Sequence, residues 1–339
     1  MLEEDCLLLS DTVLIDIFRN LYYPNSSYEF SVVDPFIIGQ IYELFLEEQL
    51  NIDPDGDVLV IKKPEAVDSQ GAVNTPKNVT DIIVEQTIST LLKEKNITEA
   101  EHLHLADICC GSGNFLLSAF EYMTNYFTEE LTSNYRQSAL REGKIYQVPC
   151  SSEFRLSFAE RRRILTNNIF GVDIDPLAVE VAKFSLFLKL LENTPAEETE
   201  AFMRQTGEKI LPRMDKNILN GNSLVGSSYA HFMPEIYNNR QKMEEIRMFD
   251  FSDEFRFAFD AIVGNPPYIR VQNMVHYSPD EYAFLKSNHS GFITSKSDLL
   301  DKYYLFIERA LSLLAPGGVV GYIVPHKFMN IASGEVLRG

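Results

Sequence analysis

Phe259-Asp260-Ala261-Ile262-Val263-Gly264 is an apolar run closed by glycine, and it leads directly into Asn265-Pro266-Pro267-Tyr268. Such a run reads as a buried strand that ends in a sharp turn. Other runs end the same way. His104-Leu105-Ala106-Asp107 passes through Ile108-Cys109-Cys110-Gly111-Ser112-Gly113 into the helical start Asn114-Phe115-Leu116-Leu117. Asn168-Ile169-Phe170-Gly171-Val172-Asp173 passes through Ile174-Asp175-Pro176 into helical periodicity from Ala178 to Leu186. Ile218-Leu219-Asn220-Gly221 ends in Asn222-Ser223-Leu224. Buried strands that feed helices through tight turns predict an α/β, Rossmann-like fold.

The turns carry chemistry. Gly111 and Gly113 let backbone approach a ligand closely, and the following helix offers it unpaired N–H groups. The spacing lacks the third glycine of a dinucleotide fingerprint, so a pyrophosphate is not the obvious ligand. An acid at the end of the second strand is where doubly wound folds bind a ribose diol. Asp173 fills that place, although it lies 66 residues beyond Asp107 (173 minus 107), against about 20 in a minimal unit. An insertion is therefore looped out between them. Asp175 before Pro176 is the better helix N-cap, which leaves Asp173 for the ribose. Asn222 at the third strand end suits an adenine amino group. Ahead of all these, Thr75-Pro76 reads as an N-cap and first turn for a helix over Ile82 to Leu92, with a hydroxyl that can also serve a ligand carboxylate.

Asn265-Pro266-Pro267-Tyr268 suits methyl transfer to a planar amino group. Such a nitrogen delocalises its lone pair and is a poor nucleophile until acceptors hold its N–H bonds. The Asn265 oxygen and the Pro266 carbonyl supply acceptors, Pro267 helps stiffen the loop, and Tyr268 offers a face for stacking. After it, Asp301 to Leu311 reads as an amphipathic helix, and Leu314 to Pro325 as a Pro-Gly-Gly turn with another buried strand.

This ordered series resembles the N6-adenine DNA methyltransferases of restriction-modification systems, in the group whose cofactor motifs precede the catalytic motif, as in type IIG and type I-like enzymes. The resemblance runs from Gly71 to about Lys327. It rests on Thr75-Pro76, Asp107 to Phe115, Gly171-Val172-Asp173, Gly221 to Leu224, Asn265 to Tyr268, Asp301 to Leu311 and Pro325-His326-Lys327-Phe328. It implies the methyltransferase form of the Rossmann-like fold, with S-adenosylmethionine as cofactor. The implied cofactor residues are Thr75, Pro76, Asp107, Cys109, Gly111, Gly113, Asn114, Phe115, Asp173, Ile174, Asn222, Ser223 and Leu224. It implies double-stranded DNA as partner, with the target adenine flipped out, its amino group held by Asn265 and Pro266 and its ring on Tyr268. The chain departs from the family pattern at Ile108, where proline is frequent, and at Asn222, where aspartate is frequent. It also has no aromatic near Ser333 or Gly334, where the family usually stacks the second face of the flipped base.

Residues 1–65 are expected to form a small helical domain, from apolar residues at helical spacing over Leu2 to Tyr22 and Pro35 to Leu50, with a short strand at Val58 to Lys62. Residues 66–339 are expected to form the catalytic domain, ending before a target-recognition domain. The insertion Glu121 to Arg163 is expected to be mostly helical. An acidic start at Met1 to Asp5, no run of about 18 apolar residues, and cysteines without metal spacing point to the cytoplasm. The net charge of −19 opposes phosphate contact, so weak DNA binding by this chain alone is expected. Arg155 and Arg161-Arg162-Arg163 form the main basic cluster, readable as a solvated helix face. A nuclease or specificity partner fits the resemblance. Methylation of a protein glutamine amide and a non-catalytic scaffold are the competing readings.

Overall fold

The computed structural model describes residues 10–21, 25, 34–46, 48–52, 58–62, 75–296, 300–330 and 335. Cys6, the loop over 68–74, and Ser333 and Gly334 lie outside the described residues.

In chain order, α1 (Asp11–Leu21) and α2 (Pro35–Leu46) precede a hairpin of β1 (Glu48–Ile52) and β2 (Val58–Lys62), with Ile52 opposite Val58. Next come α3 (Lys77–Leu92), β3 (Leu105–Asp107) and α4 (Asn114–Asn134). A second hairpin of β4 (Ile145–Gln147) and β5 (Phe154–Leu156) leads to α5 (Phe158–Asn168), β6 (Ile169–Asp173) and α6 (Pro176–Leu191). Then follow β7 (Ile218–Asn220), β8 (Phe259–Gly264), α7 (Pro279–Leu285), α8 (Lys302–Leu313) and β9 (Leu314–Tyr322).

The central sheet runs β7-β6-β3-β8-β9, and each neighbouring pair is parallel. The chain steps outward from β3 through β6 to β7, then returns to the other side of β3 with β8 and β9. That reversal makes a switch point between β3 and β8, where loops at the carboxyl ends diverge and leave a crevice. Leu105 pairs with both Ile169 and Ala261, so Asp107, Asp173 and Gly264 emerge on the same edge. β3 is buried at every residue, as a parallel strand covered on both faces must be. Val84, Ile88, Leu116 and Leu186 cover one face, and Phe249, Phe251, Phe255, Phe259 and Tyr304 cover the other. Each such side chain contributes roughly 1.5–3 kcal/mol by leaving water.

Several expectations are corrected. β9 is half-buried at the sheet edge rather than a buried strand, because only β8 flanks it. The region 121–163 carries the β4–β5 hairpin between its helices. Thr75 does not cap α3: Pro76 stands at the cap with no side-chain bond, and the Thr75 hydroxyl is used elsewhere. Asp175 caps α6 as expected, accepting from the Leu177 N–H at 2.9 Å with Pro176 in the first turn. The helical stretch expected over Pro35 to Leu50 ends at Leu46, and Glu48 to Leu50 belong to β1, while the strand expected over Val58 to Lys62 is β2. α2 packs into the core through Phe36, whereas Val13, Leu14, Ile15, Ile17 and Phe18 of α1 are exposed.

Candidate active site

The crevice encloses a cavity of about 360 Å³, within the ~300–1,000 Å³ usual for small-molecule sites. Thr75, Asp107, Cys109, Gly111, Asn114, Phe115, Asp173, Ile174, Asn222, Ser223 and Asn265 to Tyr268 all line it. Thus the end of α3's leading loop and the ends of four adjacent strands converge on one space. Pro76, Gly113 and Leu224 do not line it. Pro76 is exposed at the start of α3. Gly113, at φ 91°, turns the backbone into α4, where a Cβ would lie 3.0 Å from that of Ala182. Leu224 is buried in the aromatic half of the core. Gly113 and Leu224 therefore shape the site from behind.

The tetrapeptide is locked in place by its own side chains and by Thr75. Asn265 Nδ2 donates to Thr75 Oγ1 at 3.0 Å. The Tyr268 hydroxyl lies 2.6 Å from Asn265 Oδ1 and 2.7 Å from the Ile323 carbonyl, and its single hydrogen serves one of them at a time. Burial pushes the Tyr268 phenol up to about 12, with the Cys109 thiol adding to the rise, so it stays a donor. Arg270 and Asp301 form an antiparallel bridge, and the Lys302 N–H bonds the Ile269 carbonyl at 2.7 Å, which ties the loop after Tyr268 to the start of α8. Gly264, at φ 156°, lets Asp107 approach: a Cβ there would lie 2.6 Å from Asp107 Oδ1.

Two carboxyls dominate the electrostatics. Asp107 is raised to about 7 by burial, partly offset by the Cys109 N–H it accepts at 3.0 Å and reinforced by the charge of Asp173. Asp173 is raised to about 6, again by burial, although the Asp175 and Gly111 N–H groups at 2.9 and 2.7 Å favour its ionised form. Each oxygen of Asp173 thus accepts one backbone N–H, which orients the carboxylate and leaves it further acceptor capacity, while Asp175 takes the helix cap. Asn222 is also held on both sides: Oδ1 accepts from the Leu224 N–H at 3.0 Å, and Nδ2 donates to Glu281 at 3.2 Å. Ser223 donates to the Ile108 carbonyl at 2.6 Å and so braces the loop after β3.

Sequence reasoning missed Ile108, Cys110, Asp175, Ala178, Gly221, Ile269, Lys302 and Phe306 as lining residues. Lys302 and Phe306 had a signal, since they stand four apart in the amphipathic segment after Asp301 and share one helix face.

The lining suits S-adenosylmethionine. Asp107, Asp173 and Asp175 match its cationic groups and ribose diol, while Ile108, Ile174, Pro267 and Phe306 match a flat base. Gly111, at φ 50°, faces open space where a Cβ would stand, so backbone is accessible there.

Comparison with known proteins agrees with this arrangement. The family described as N-6 DNA methylase matches residues 36–220, and the Eco57I restriction-modification methylase family matches residues 167–339. The chain is 34% identical over 335 residues to the type II restriction enzyme and methyltransferase RM.Eco57I of Escherichia coli, covering 99% of this chain and 31% of that protein. It is 24% identical to the adenine-specific methyltransferase PglX of Streptomyces coelicolor, over 83% of this chain and 21% of that one. Its fold is similar to that in the DrdV–DNA complex, with a TM-score of 0.53 at 14% identity over 96% of this chain and 27% of that one. The chain thus spans about a third or less of the length of these relatives. It belongs to the N-6 DNA methylase family and, over its second half, to the Eco57I restriction-modification methylase family.

Proposed function

We propose that the protein methylates the exocyclic amino group of adenine in double-stranded DNA, as the modification activity of a restriction-modification system. The observation that carries this reading is the Asn265 amide, fixed between Thr75 and Tyr268 in the lining of the same cavity as Asp107 and Asp173. Bound S-adenosylmethionine supplies an electrophilic methyl group on sulfur. Asn265 Oδ1 and the Pro266 carbonyl accept the two N–H bonds of the flipped base and aim the nitrogen lone pair at that carbon. Held so, the amino nitrogen would take the methyl group as the thioether departs with the bonding electrons, and Asn265 and the Pro266 carbonyl would steady the nitrogen until its surplus proton passed to water. No strong base is needed, because Asn265 acts by orientation and by stabilising charge as it develops. The Tyr268 hydroxyl has the Ile323 carbonyl as its second acceptor, so it can release Asn265 Oδ1 to the target without losing a hydrogen bond. Pro267 stiffens the loop. Asp107, Asp173, Ile174 and Phe115 belong to the cofactor side of the cavity.

On this reading the catalytic unit begins with α2 rather than at residue 66, because Gly39 packs against the Gly111–Asn114 turn. The same reading includes a nuclease or specificity domain or subunit and a cytoplasmic setting. Among the described residues no helix is long and apolar enough to cross a membrane.

The test is to incubate the protein with labelled cofactor and mixed duplex DNA and to analyse the nucleosides. N6-methyladenine is expected, and label recovered only in protein glutamine would overturn the reading. Asn265→Ala should abolish turnover while calorimetry shows cofactor affinity nearly unchanged.

A further inference from the structure

An ion pair lies buried at the edge of the cavity, outside the reaction just described. Lys302 Nζ sits 3.0 Å from Glu281 Oε1, and the two side chains are only 14% and 7% exposed. The same carboxylate oxygen accepts from Asn222 Nδ2 at 3.2 Å, and the Ser278 hydroxyl donates to the other oxygen at 3.3 Å. Glu281 comes from α7, Lys302 from the first turn of α8 and Asn222 from the turn after β7. Lys302 and Asn222 line the cavity, and Glu281 holds both of them. Taking two charges out of water is costly, and an apolar pair of the same volume is often as stable or more so. Stability alone therefore does not account for a lysine and a glutamate at this wall. A ligand that takes a hydrogen bond from the lysine does.

The chemistry of the wall is specific. The Asn222 carbonyl oxygen is turned to the Leu224 N–H, so its amino end faces Glu281, and of its two N–H bonds only one is needed there. The Lys302 ammonium has three N–H bonds, one of them directed at Glu281. This part of the cavity thus presents donors. A purine base offers acceptors at its ring nitrogens and a donor only at its 6-amino group. This inference rests on S-adenosylmethionine occupying the cavity, as proposed above. We propose that Lys302, positioned by Glu281, is a specificity-determining residue for the base of the cofactor, donating to a ring nitrogen beside the Asn222 amide. The base is then read through its acceptor edge, in place of the aspartate that the resemblance leads one to expect at 222.

The test is calorimetric binding of S-adenosylhomocysteine and its 1-deaza, 3-deaza and 7-deaza analogues, each of which replaces one ring nitrogen by CH. Wild-type protein should bind one of the three about tenfold more weakly than the parent, the usual effect of losing a hydrogen bond to a charged group. Lys302→Met should bind the parent about tenfold more weakly and no longer distinguish that analogue. Because Lys302→Met strands Glu281 and can unfold the protein, the double variant Glu281→Leu with Lys302→Met is measured beside it. It should keep the wild-type melting temperature and still fail to distinguish the analogue, which a purely structural ion pair would not do. Undiminished discrimination in either variant, or equal loss across all four ligands, would overturn the proposal. Failure of the wild-type protein to bind the parent at all would instead overturn the reading of the cavity on which it rests.

Discussion

Asn265 carries an amide whose two ends have nearly the same shape and opposite hydrogen-bonding character, so its orientation must be set by partners. Thr75 and Tyr268 set it, the first accepting at 3.0 Å and the second donating at 2.6 Å. Thr75→Val removes the acceptor for Nδ2 and leaves the amide able to flip. We expect kcat to fall about tenfold, with Thr75→Ser close to wild type, because one hydrogen bond of this kind is worth ~1 kcal/mol or more. Single-turnover rates at saturating cofactor check this. Asp107 gives a second prediction at the same scale. Its carboxyl is raised from 3.8 to about 7 by burial, so the folded protein holds the proton more tightly than the unfolded chain does. The stability this provides is fully present below about pH 3.8 and is lost as pH rises towards about 7. A cationic ligand favours the ionised form. Cofactor affinity should therefore rise between about pH 6 and pH 8, with protons released on binding. Calorimetry in buffers of different ionisation enthalpy measures the release, and proton uptake would contradict it.

At the scale of elements, α2 shows how an N-terminal helix reaches the cofactor turn. Tyr42 donates to Asp175 Oδ2 at 2.9 Å, while the other oxygen of that carboxylate caps α6. Gly39 lies so near the loop after β3 that an added Cβ would stand 2.8 Å from Ser112 Oγ and 2.9 Å from Asn114 Oδ1. Gly39→Val should push α2 off this loop, destabilise the fold by about 1–3 kcal/mol as overpacking does, and weaken cofactor binding. Thermal unfolding with and without cofactor separates the two effects: the melting temperature falls and the cofactor-induced rise shrinks. An unchanged rise on adding cofactor would show that α2 is packing alone.

For the whole molecule, charge is the controlling quantity. The chain carries 49 Asp and Glu against 30 Lys and Arg, a net −19. Its main basic cluster is internally committed: Arg155 pairs with Glu153 at 2.7 Å, Arg162 with Glu208 at 2.7 Å and Arg163 with Glu160 at 2.8 Å. Arg161 donates to the Glu192 carbonyl at 2.9 Å. Few of these guanidinium groups are left to displace counterions from phosphate. Duplex DNA should therefore bind weakly, with a dissociation constant on the order of 10⁻⁵ M or weaker and a shallow dependence on salt. Fluorescence anisotropy at two ionic strengths gives the slope, and a steep one would place a phosphate-binding surface on this chain.

The amino-acid sequence by itself determined the strand–turn–helix units and their order, because those signals are local. Apolar runs, the turn at Gly111 and Gly113, Pro176 after Asp175, and Asn265 to Tyr268 each sit within a few residues of the feature they produce. The same locality explains the misreadings. The letters Thr75-Pro76 fit a helix cap, yet Thr75 bonds to Asn265, 190 residues away. Asn222 lines the cavity as its place after β7 suggests, but nothing near it in the chain shows that Glu281, 59 residues on, takes one of its N–H bonds. Tyr42 reaches Asp175 across 133 residues, and Leu314 to Tyr322 is half-buried because it lies at the sheet edge. Which side chains meet is decided by the strand order β7-β6-β3-β8-β9. Local periodicity carries no record of that order, since it arises only when whole apolar faces find one another and the strand ends are brought side by side.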